Sequence, residues 1–404
     1  MHSYAMGCST ASIPSKNKTM FKYLFKRDTI FATIAVFMVM GMFSLLPINT
    51  HFLDPIHLAL SDFDYNDMAY SQLHKNEDTP IDTNIVIVNI GYADRIAIAS
   101  MIGTAAAQQP KAIGIDAVFY EKKDTVADDL LASLFLHTDK LVGAYNYGDK
   151  NKGYFYDRTK NKGFSNFVGE EGGVIRHFTP FLKDEKLESF AAAIVKIADP
   201  KSYAVLEDRD QTTEIINYTR KANKYLVIDG MELIANKTIA RALTNKIVLI
   251  GYVGSSSYDV EDKHFTPLNT KFTGKALPDL NGVFIHANII SMILNQNYVH
   301  HLPPWLMWSI AVLLCWLHMA IFTKAYLDVH IWFHLVAKIA QIISAVCFVY
   351  IGLWCFYEFD LKMNLTATLV AIVLAVDVLY FYEAFATWLH KKIGYQTIFT
   401  HHHG

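Results

Sequence analysis

Long apolar runs interrupt this chain at four places, once near its beginning and three times near its end. Each run is close to the length of about 20 residues that crosses a lipid bilayer as a helix. The runs therefore predict transmembrane helices at 29–48, 304–323, 331–356 and 363–389. They leave three other parts, namely an N-terminal tail at 1–28, a large segment at 49–303 and a C-terminal tail at 390–404.

Basic residues flank the apolar runs at three separate places, which are Lys22, Lys26 and Arg27, then Lys324, then Lys391 and Lys392. Short flanks rich in Lys and Arg stay in the cytoplasm. We therefore expect both termini to be cytoplasmic and the segment 49–303 to lie on the opposite side of the membrane. The first run spans a full bilayer and no small-residue cleavage pattern follows it, so it is interpreted as an anchor rather than a cleaved signal.

Within the segment 49–303 the apolar residues occur in shorter runs that are typical of strands and helices of a folded domain. Continuous β-branched runs, which suit strands buried on both faces, occur at 84–91, 111–116, 140–145 and 245–251. Stretches with helical periodicity separate the first three runs, at 93–110 and 126–137. The alternation predicts an exported α/β domain with a largely parallel sheet, joined to four transmembrane α-helices, one N-terminal and three C-terminal.

Ligands of open parallel sheets lie beyond the carboxyl ends of the strands. That rule nominates Asn89, Asp116, Glu121 and the loop 251–267. The loop lacks the Gly-Lys-Ser/Thr of a phosphate-binding P-loop, which leaves a polar turn as the simpler interpretation. The serines 255–257 together with Asp262, His264 and His286 are the residue types of a hydrolase triad, but no GxSxG elbow accompanies them.

One segment, 145–178, departs from the strand and helix alternation and interleaves aromatic residues with Lys, Asp and Gly. It could be a long binding loop that stacks on sugar rings or peptides. The alternative that we favour is a solvated hairpin with its aromatic side chains folded onto the sheet.

The composition argues against several kinds of partner and site. The chain is 52% hydrophobic and 18% charged with a net charge of −2, so it has no basic footprint for nucleic acid. Its four cysteines, Cys8, Cys315, Cys347 and Cys355, lie in the tail or in the apolar runs. The exported segment is therefore expected to contain neither a disulfide nor a metal site, and no cofactor motif is present.

Five motifs in this order resemble the CHASE type 2 family, the second class of extracellular sensors attached to cyclases and histidine kinases. They are IVIVNIG at 85–91, PKAIGIDAVFYE at 110–121, GGVIRHFTP at 172–180, NKIVLIGYVG at 245–254, and EDKHFTPLN at 261–269 followed by NGVFIHANIISMIL at 281–294. The resemblance, which includes the layout of one anchor and three closing helices, runs from about residue 61 to 385. The last motifs look most like versions from the Bacteroidetes, which would place the domain in the periplasm and the helices in the inner membrane.

The resemblance implies ligand-binding or structural roles for Asp116, Glu121, Arg176, Asp262, Thr266 and His286, together with Pro267 and Gly282. Receptors of the family usually continue after the last helix into a cyclase, kinase or phosphoprotein domain. Only a short tail follows here, so we expect no cytoplasmic output domain in this chain.

Three functions are compatible with these observations. The first is a sensory membrane subunit that binds a small ligand or a partner and signals to a separate effector protein. The second is a structural or assembly subunit that docks membrane or periplasmic proteins, and either could form a homo-oligomer. The third is a periplasmic hydrolase, which only scattered Ser, His and Asp residues support. We therefore expect no catalytic residues.

Polar residues within the apolar runs form the last candidate feature. Lys338 and Glu383 are predicted at nearly the same depth from the cytoplasmic side, and Asp377 about 9 Å further in. His318 and Gln341 extend this intramembrane polar layer. Lys338 could reach the headgroups, pair with Glu383 or Asp377, or contact another subunit.

Overall fold

The structure is a computed structural model that describes residues 20–45, 64, 66–75, 77–167, 173–254, 259–270, 277–328 and 332–399. Most of the predicted N-terminal tail, the end of the first predicted span, and Ser255, Ser256 and Ser257 lie outside these residues. The chain divides into two compact units. The membrane-helix unit comprises 1–52, 301–355 and 362–404, and the α/β unit comprises 53–300 and 356–361.

Helices of both units are numbered in chain order. The α-helices are Met20–Leu24 (α1), Arg27–Leu45 (α2), Asp67–Ser71 (α3), Arg95–Ala107 (α4), Thr125–His137 (α5), Phe190–Ala198 (α6), Pro200–Asp208 (α7), Gly230–Ala235 (α8), Lys237–Ala240 (α9), Gly282–Asn295 (α10), Pro304–Asp328 (α11), Phe333–Phe359 (α12) and Thr366–Ile393 (α13). Short 3₁₀ helices cover Tyr156–Arg158, Ala222–Lys224 and Arg241–Leu243.

A six-stranded parallel sheet forms the centre of the α/β unit. Its strands are Ile85–Asn89 (β1), Ala112–Asp116 (β2), Leu141–Tyr145 (β3), Asn161–Phe164 (β4), Leu226–Asp229 (β5) and Ile247–Gly251 (β6). Their spatial order is β4-β3-β2-β6-β1-β5. Two-residue strands lie outside this sheet at His177–Phe178, Phe181–Leu182, Leu187–Glu188, Glu214–Ile215, Lys263–His264, Leu280–Asn281, His300–His301 and Leu361–Lys362. The α/β class with a largely parallel sheet is confirmed.

Helices cover both faces of the sheet, which explains why its central strands are apolar at successive positions. On one face, α4, α5 and α8 pack in a cluster with alternate strand residues such as Val86 and Ile113. On the other face lie α6 and α10. Gly163 allows α6 to approach closely, because a Cβ there would lie 2.6 Å from the backbone nitrogen of Phe190. This close approach fixes Phe190 at the start of α6.

Helix α10 is buried along nearly its whole length, although it carries several polar side chains. Asn288 donates from Nδ2 to the carbonyl of Arg220 at 3.0 Å and accepts from its amide at 3.1 Å. Ser291 accepts from Arg220 Nη1 at 2.7 Å and donates to Asp82 Oδ2 at 2.9 Å. These partners satisfy the buried groups in the middle of the helix.

Four helices are long and apolar enough to cross a membrane, namely α2, α11, α12 and α13. The predicted layout of one N-terminal and three C-terminal helices is thereby confirmed. Within the membrane-helix unit, α13 packs against α11 and α2. Their shared core is built from small and aromatic residues such as Ala375, Phe322 and Phe399.

One expectation about local structure was wrong. The favoured hairpin within 145–178 is instead a loop that leads into β4, which pairs in parallel with β3. The short run NKGF at 161–164 carries too weak a strand pattern to show this. Helix α10 ends at Asn295, because Gln296 adopts a left-handed conformation with φ 53° that stops the helix.

Candidate functional site

A cavity of about 460 Å³ opens at the carboxyl end of β2 and the amino end of α10. Its wall comes from six separate segments of the α/β unit. The lining residues are Asp116, Asn146, Ser165, Asn166, Phe167, Gly173, Ile175, Asp262, Lys263, His264, Phe265, Gly282 and His286. Four of the residues for which the resemblance implied a ligand-binding or structural role are therefore brought together, namely Asp116, Asp262, Gly282 and His286.

Asp116 is the last residue of β2, and the sheet holds its backbone opposite Gly251 of β6. Its side chain is 14% exposed, and its Oδ1 lies 4.0 Å from Nε2 of His286. Burial raises the pKa of Asp116 to about 7. Close packing at Gly251 holds this end of the strand in place, because a Cβ there would lie 3.1 Å from Val283 and 3.2 Å from Asp116.

Asp262 stands at the mouth of the same cavity, in a left-handed backbone conformation with φ 56°. Its carbonyl accepts a hydrogen bond of 3.1 Å from the amide of Gly282, the first residue of α10. Desolvation and then the charge of Asp116 raise the pKa of Asp262. Because Asp262 is exposed, water screens both effects, and the enclosed Asp116 is the more strongly perturbed carboxyl group.

His286 lies between two aromatic rings. Phe167 stacks on its imidazole at a centroid distance of 5.1 Å, and Phe190 meets it edge-on, also at 5.1 Å. The residue is 4% exposed, and burial lowers its pKa to about 4, so the ring is neutral near pH 7. Among the described residues, its buried Nδ1 has no hydrogen-bond partner.

Several cavity residues were not proposed as site residues from the sequence. Ser165, Asn166 and Phe167 follow β4 directly, at the carboxyl edge of the sheet. They belong to the aromatic segment 145–178, where a long binding loop was one of the two interpretations. Because β4 was not predicted as a strand, the rule that places ligands beyond strand ends could not be applied to the residues that follow it.

Thr266 and Arg176 each have a strong internal partner. Thr266 donates from Oγ1 to Asp279 Oδ2 at 2.6 Å, and its amide donates to Asp279 Oδ1 at 2.9 Å. Arg176 donates from Nη2 to Asp67 Oδ2 at 2.7 Å and from Nε to both oxygens at 3.1 Å. Neither side chain lines the cavity.

Glu121 lies elsewhere, at a second cavity of about 640 Å³ near the amino ends of α4 and α5. Its carbonyl accepts a hydrogen bond of 2.5 Å from Arg95, whose guanidinium also pairs with the buried Asp128. The Glu121 side chain itself is exposed. The structure thus separates Glu121 from Asp116, five residues earlier in the chain.

The intramembrane polar layer is connected by hydrogen bonds between helices. Gln341 of α12 donates to the carbonyl of Ile372 in α13 at 2.6 Å. His318 Nε2 of α11 lies 2.8 Å from Ser344 Oγ of α12. Tyr326 of α11 donates to Glu383 Oε1 of α13 at 2.8 Å. Lys338 pairs with Asp377 and not with Glu383.

The geometry of the described residues offers no group of three or more His, Cys, Asp or Glu side chains that could hold a metal ion. His264 and His286 both line the cavity, and burial lowers the pKa of each, so both rings are neutral near pH 7. Asp116 is the enclosed acid beside His286. The arrangement is suited to binding a polar molecule between carboxylate, imidazole, amide and aromatic groups.

Comparison with protein-family models matches the CHASE2 domain to residues 34–322 of this chain. The match includes the whole of the α/β sheet and every residue of the cavity wall. No curated protein and no solved structure matches the chain.

Proposed function

This chain belongs to the CHASE2 domain family, a family of sensory extracellular domains, and we propose that it is a sensory membrane subunit. In this proposal the α/β unit binds a small ligand in the cavity between Asp116, Asp262 and His286. The bound state is passed through the membrane helices to a separate effector protein.

The unpaired Nδ1 of His286 is the observation that carries the proposal. Buried polar groups in folded proteins nearly always have a hydrogen-bond partner, and an unsatisfied one costs about 1–3 kcal/mol. On the same helix, the buried Asn288 and Ser291 are both satisfied by Arg220. His286 lines the cavity, and a polar ligand that reorients its ring would supply the partner that Nδ1 lacks among the described residues.

The orientation follows from the basic flanks of the apolar helices. Lys22, Lys26, Lys391 and Lys392 favour a cytoplasmic location for both termini. The α/β unit would then lie outside the cytoplasmic membrane, in the periplasm of a bacterium with two membranes, where an external ligand can reach its cavity.

Chain connections offer two routes for a signal. Residues 296–303 lead from α10, which carries His286, to α11. The segment 356–361, which belongs to the α/β unit, contains the end of α12 and the start of the connection to α13. In this segment Asp360 accepts hydrogen bonds from Asn217 Nδ2 at 2.8 Å and, through its carbonyl, from the amide of His300 at 2.8 Å. A change at the cavity could therefore alter both connections.

Ligand binding can be tested on the full-length protein in lipid nanodiscs. The melting temperature would be measured with a panel of small cationic, neutral and anionic metabolites, since a ligand that binds only the folded state raises it. The matched control is Gly282→Ala, which places a methyl group in the cavity. We expect at least one compound to stabilise the wild type and not the variant. If no compound does so, the cavity is not a ligand site and a structural or assembly role takes the place of sensing.

A further inference from the structure

We propose that the cavity binds an organic cation, a small molecule whose ammonium group lies between the carboxylates of Asp116 and Asp262. This inference rests on the proposed function, because it names the chemical class of ligand for the same cavity.

The two carboxylates converge on one point. A Cβ built on Gly282 would lie 3.5 Å from Oδ2 of Asp262 and 3.7 Å from Oδ2 of Asp116. The absence of a side chain at Gly282 keeps this point open. An ammonium group packed over the Gly282 Cα, just beyond this point, could donate to both carboxylates, and charge-assisted hydrogen bonds of this kind are about twice as strong as neutral ones.

Asp116 differs from the other enclosed acids of the α/β unit because neither a cation nor a hydrogen-bond donor contacts it among the described residues, whereas Asp279, which also has no ion pair, accepts from Thr266. The four fully buried acidic side chains each pair with an arginine, and these pairs are Asp67 with Arg176, Asp82 with Arg220, Asp128 with Arg95, and Glu214 with Arg209. The only basic side chain in ion-pair range of Asp116 in the described structure is the neutral His286, at 4.0 Å. A buried carboxylate without a counter-charge is costly, which a bound cation would relieve.

Lys263 also lines the cavity, but it does not take this role. In the described structure Lys263 forms no ion pair with Asp116 or Asp262, and His286 is the basic side chain within 4.0 Å of Asp116. The two carboxylates therefore retain a local excess of negative charge.

The rest of the wall suits the body of an organic cation. Phe167 and Phe265 provide aromatic surface, which attracts ammonium groups and packs against alkyl or aryl carbons. Asn146, Asn166 and the imidazole of His286 provide further polar contacts. The volume of about 460 Å³ admits a small organic molecule.

An anion is a poorer fit, although the amino end of α10 by itself would attract one. The carboxylates of Asp116 and Asp262 stand at that helix end, next to Gly282. They would repel an anionic group at the place where the helix dipole could stabilise it.

The test uses the full-length protein in nanodiscs and three sets of matched probes. Butylamine, 1,4-diaminobutane and 2-phenylethylamine are the cations. The corresponding alcohols and carboxylates with the same carbon frames are the neutral and anionic members of each set. Binding would be measured by isothermal titration calorimetry at concentrations up to about 10 mM, a range that detects even weak affinity.

We expect at least one amine to bind the wild type with an affinity at least about tenfold above that of its alcohol and its carboxylate. Gly282→Ala should weaken this amine at least about tenfold, since its methyl group occupies the point between the carboxylates. Asp116→Asn and Asp262→Asn should do the same, and Asn tolerates the left-handed conformation at 262. Glu261→Gln, which removes an adjacent charge outside the cavity wall, should leave the affinity within about twofold.

Two results would overturn the inference in different ways. Binding of an alcohol or a carboxylate in preference to every amine, abolished by Gly282→Ala, would keep the ligand cavity and reject the ammonium. Failure of all probes to bind would reject both the ammonium and, with the broader metabolite panel, the ligand cavity itself.

Discussion

Lys338 Nζ lies 3.0 Å from Asp377 Oδ2, so two opposite charges on neighbouring apolar helices neutralise each other. Both side chains are about half exposed, at 46% and 52%, on the surface of the helices. In a bilayer that surface meets lipid or another protein. An unpaired charge near the centre of a membrane helix costs about 2.5–3.5 kcal/mol on insertion scales. The ion pair thus lowers the free-energy cost of placing Lys338 and Asp377 in the apolar helices α12 and α13.

Removing one member of this pair should impair the protein more than removing both. We expect Lys338→Ala to lower the yield of folded protein from membranes and its melting temperature, because Asp377 is left without a partner. Lys338→Ala with Asp377→Ala should restore much of the loss. The control is Lys338→Ala with Glu383→Gln, which should restore nothing, since Glu383 accepts from Tyr326 instead. An unchanged yield for Lys338→Ala would show that the pair has no role in assembly.

The proposed orientation is tested with reporter fusions that are active on only one side of the membrane. Fusions at residue 150 should report an external location, and fusions at residues 15 and 398 a cytoplasmic one, because basic flanks agree at three places. A cytoplasmic signal from residue 150 would contradict ligand sensing from outside the cell.

The strands with continuous apolar sequence were predictable, and β1, β2, β3 and β6 fall within the predicted runs. Strands β4 and β5 were not found, because an edge strand buries fewer side chains and needs less apolar sequence. Asp116 was nominated because it ends a strand. The sequence could not show that Asp116 lacks a counter-charge. The other buried acids pair with arginines that are far away in the sequence, as Asp67 does with Arg176.

Arg176 is expected to have a structural role through its bidentate pair with Asp67. The two side chains are 12% and 5% exposed, and removing one partner of such a pair costs about 3–5 kcal/mol. We therefore expect Arg176→Met to lower the melting temperature strongly, with partial recovery when Asp67→Asn is added. Arg176→Lys, which retains the charge but loses the fork, should be intermediate. Calorimetry with a cavity ligand provides the second readout, and a change in affinity without a loss of stability would instead assign Arg176 to ligand binding.

Asp360 should stabilise the segment 356–361 of the α/β unit. Its carboxylate lies 3.3 Å from Nζ of the buried Lys75 and accepts from Asn217, and its backbone is left-handed with φ 50°. We expect Asp360→Ala to cost about 3 kcal/mol, because it leaves a buried charge unpaired and strains the backbone. Asp360→Asn keeps the conformation and one hydrogen bond, so it should cost less. Equal melting temperatures for the two variants would contradict this account.

The cavity should make stability depend on pH in a defined direction. Burial raises the pKa of Asp116 from its ordinary 3.8 to about 7, so between these values the folded state binds more protons than the unfolded state. Stability from this group is therefore lost as the pH rises through that window. His286 acts oppositely, because burial lowers its pKa from 6.5 to about 4 and stability falls as the pH drops between these values. His264, also with a lowered pKa, acts like His286, and Asp262 acts like Asp116.

Between pH 8 and 6.5 the carboxylates change their charge in the folded state, and the histidines do so only in the unfolded state and only near the lower limit. Acidification should therefore stabilise the ligand-free protein, by an amount that the histidines reduce. For Asp116 alone the gain is on the order of 1 kcal/mol, or roughly 2–4 °C in melting temperature. Asp116→Asn should raise the melting temperature at pH 8 and flatten this dependence, because the amide carries no charge to bury. Asp129→Asn, a change on the exposed face of α5, serves as the control and should leave the dependence as in the wild type. A melting temperature of Asp116→Asn below that of the wild type at pH 8 would mean that the Asp116 carboxylate already has a partner that stabilises its charge.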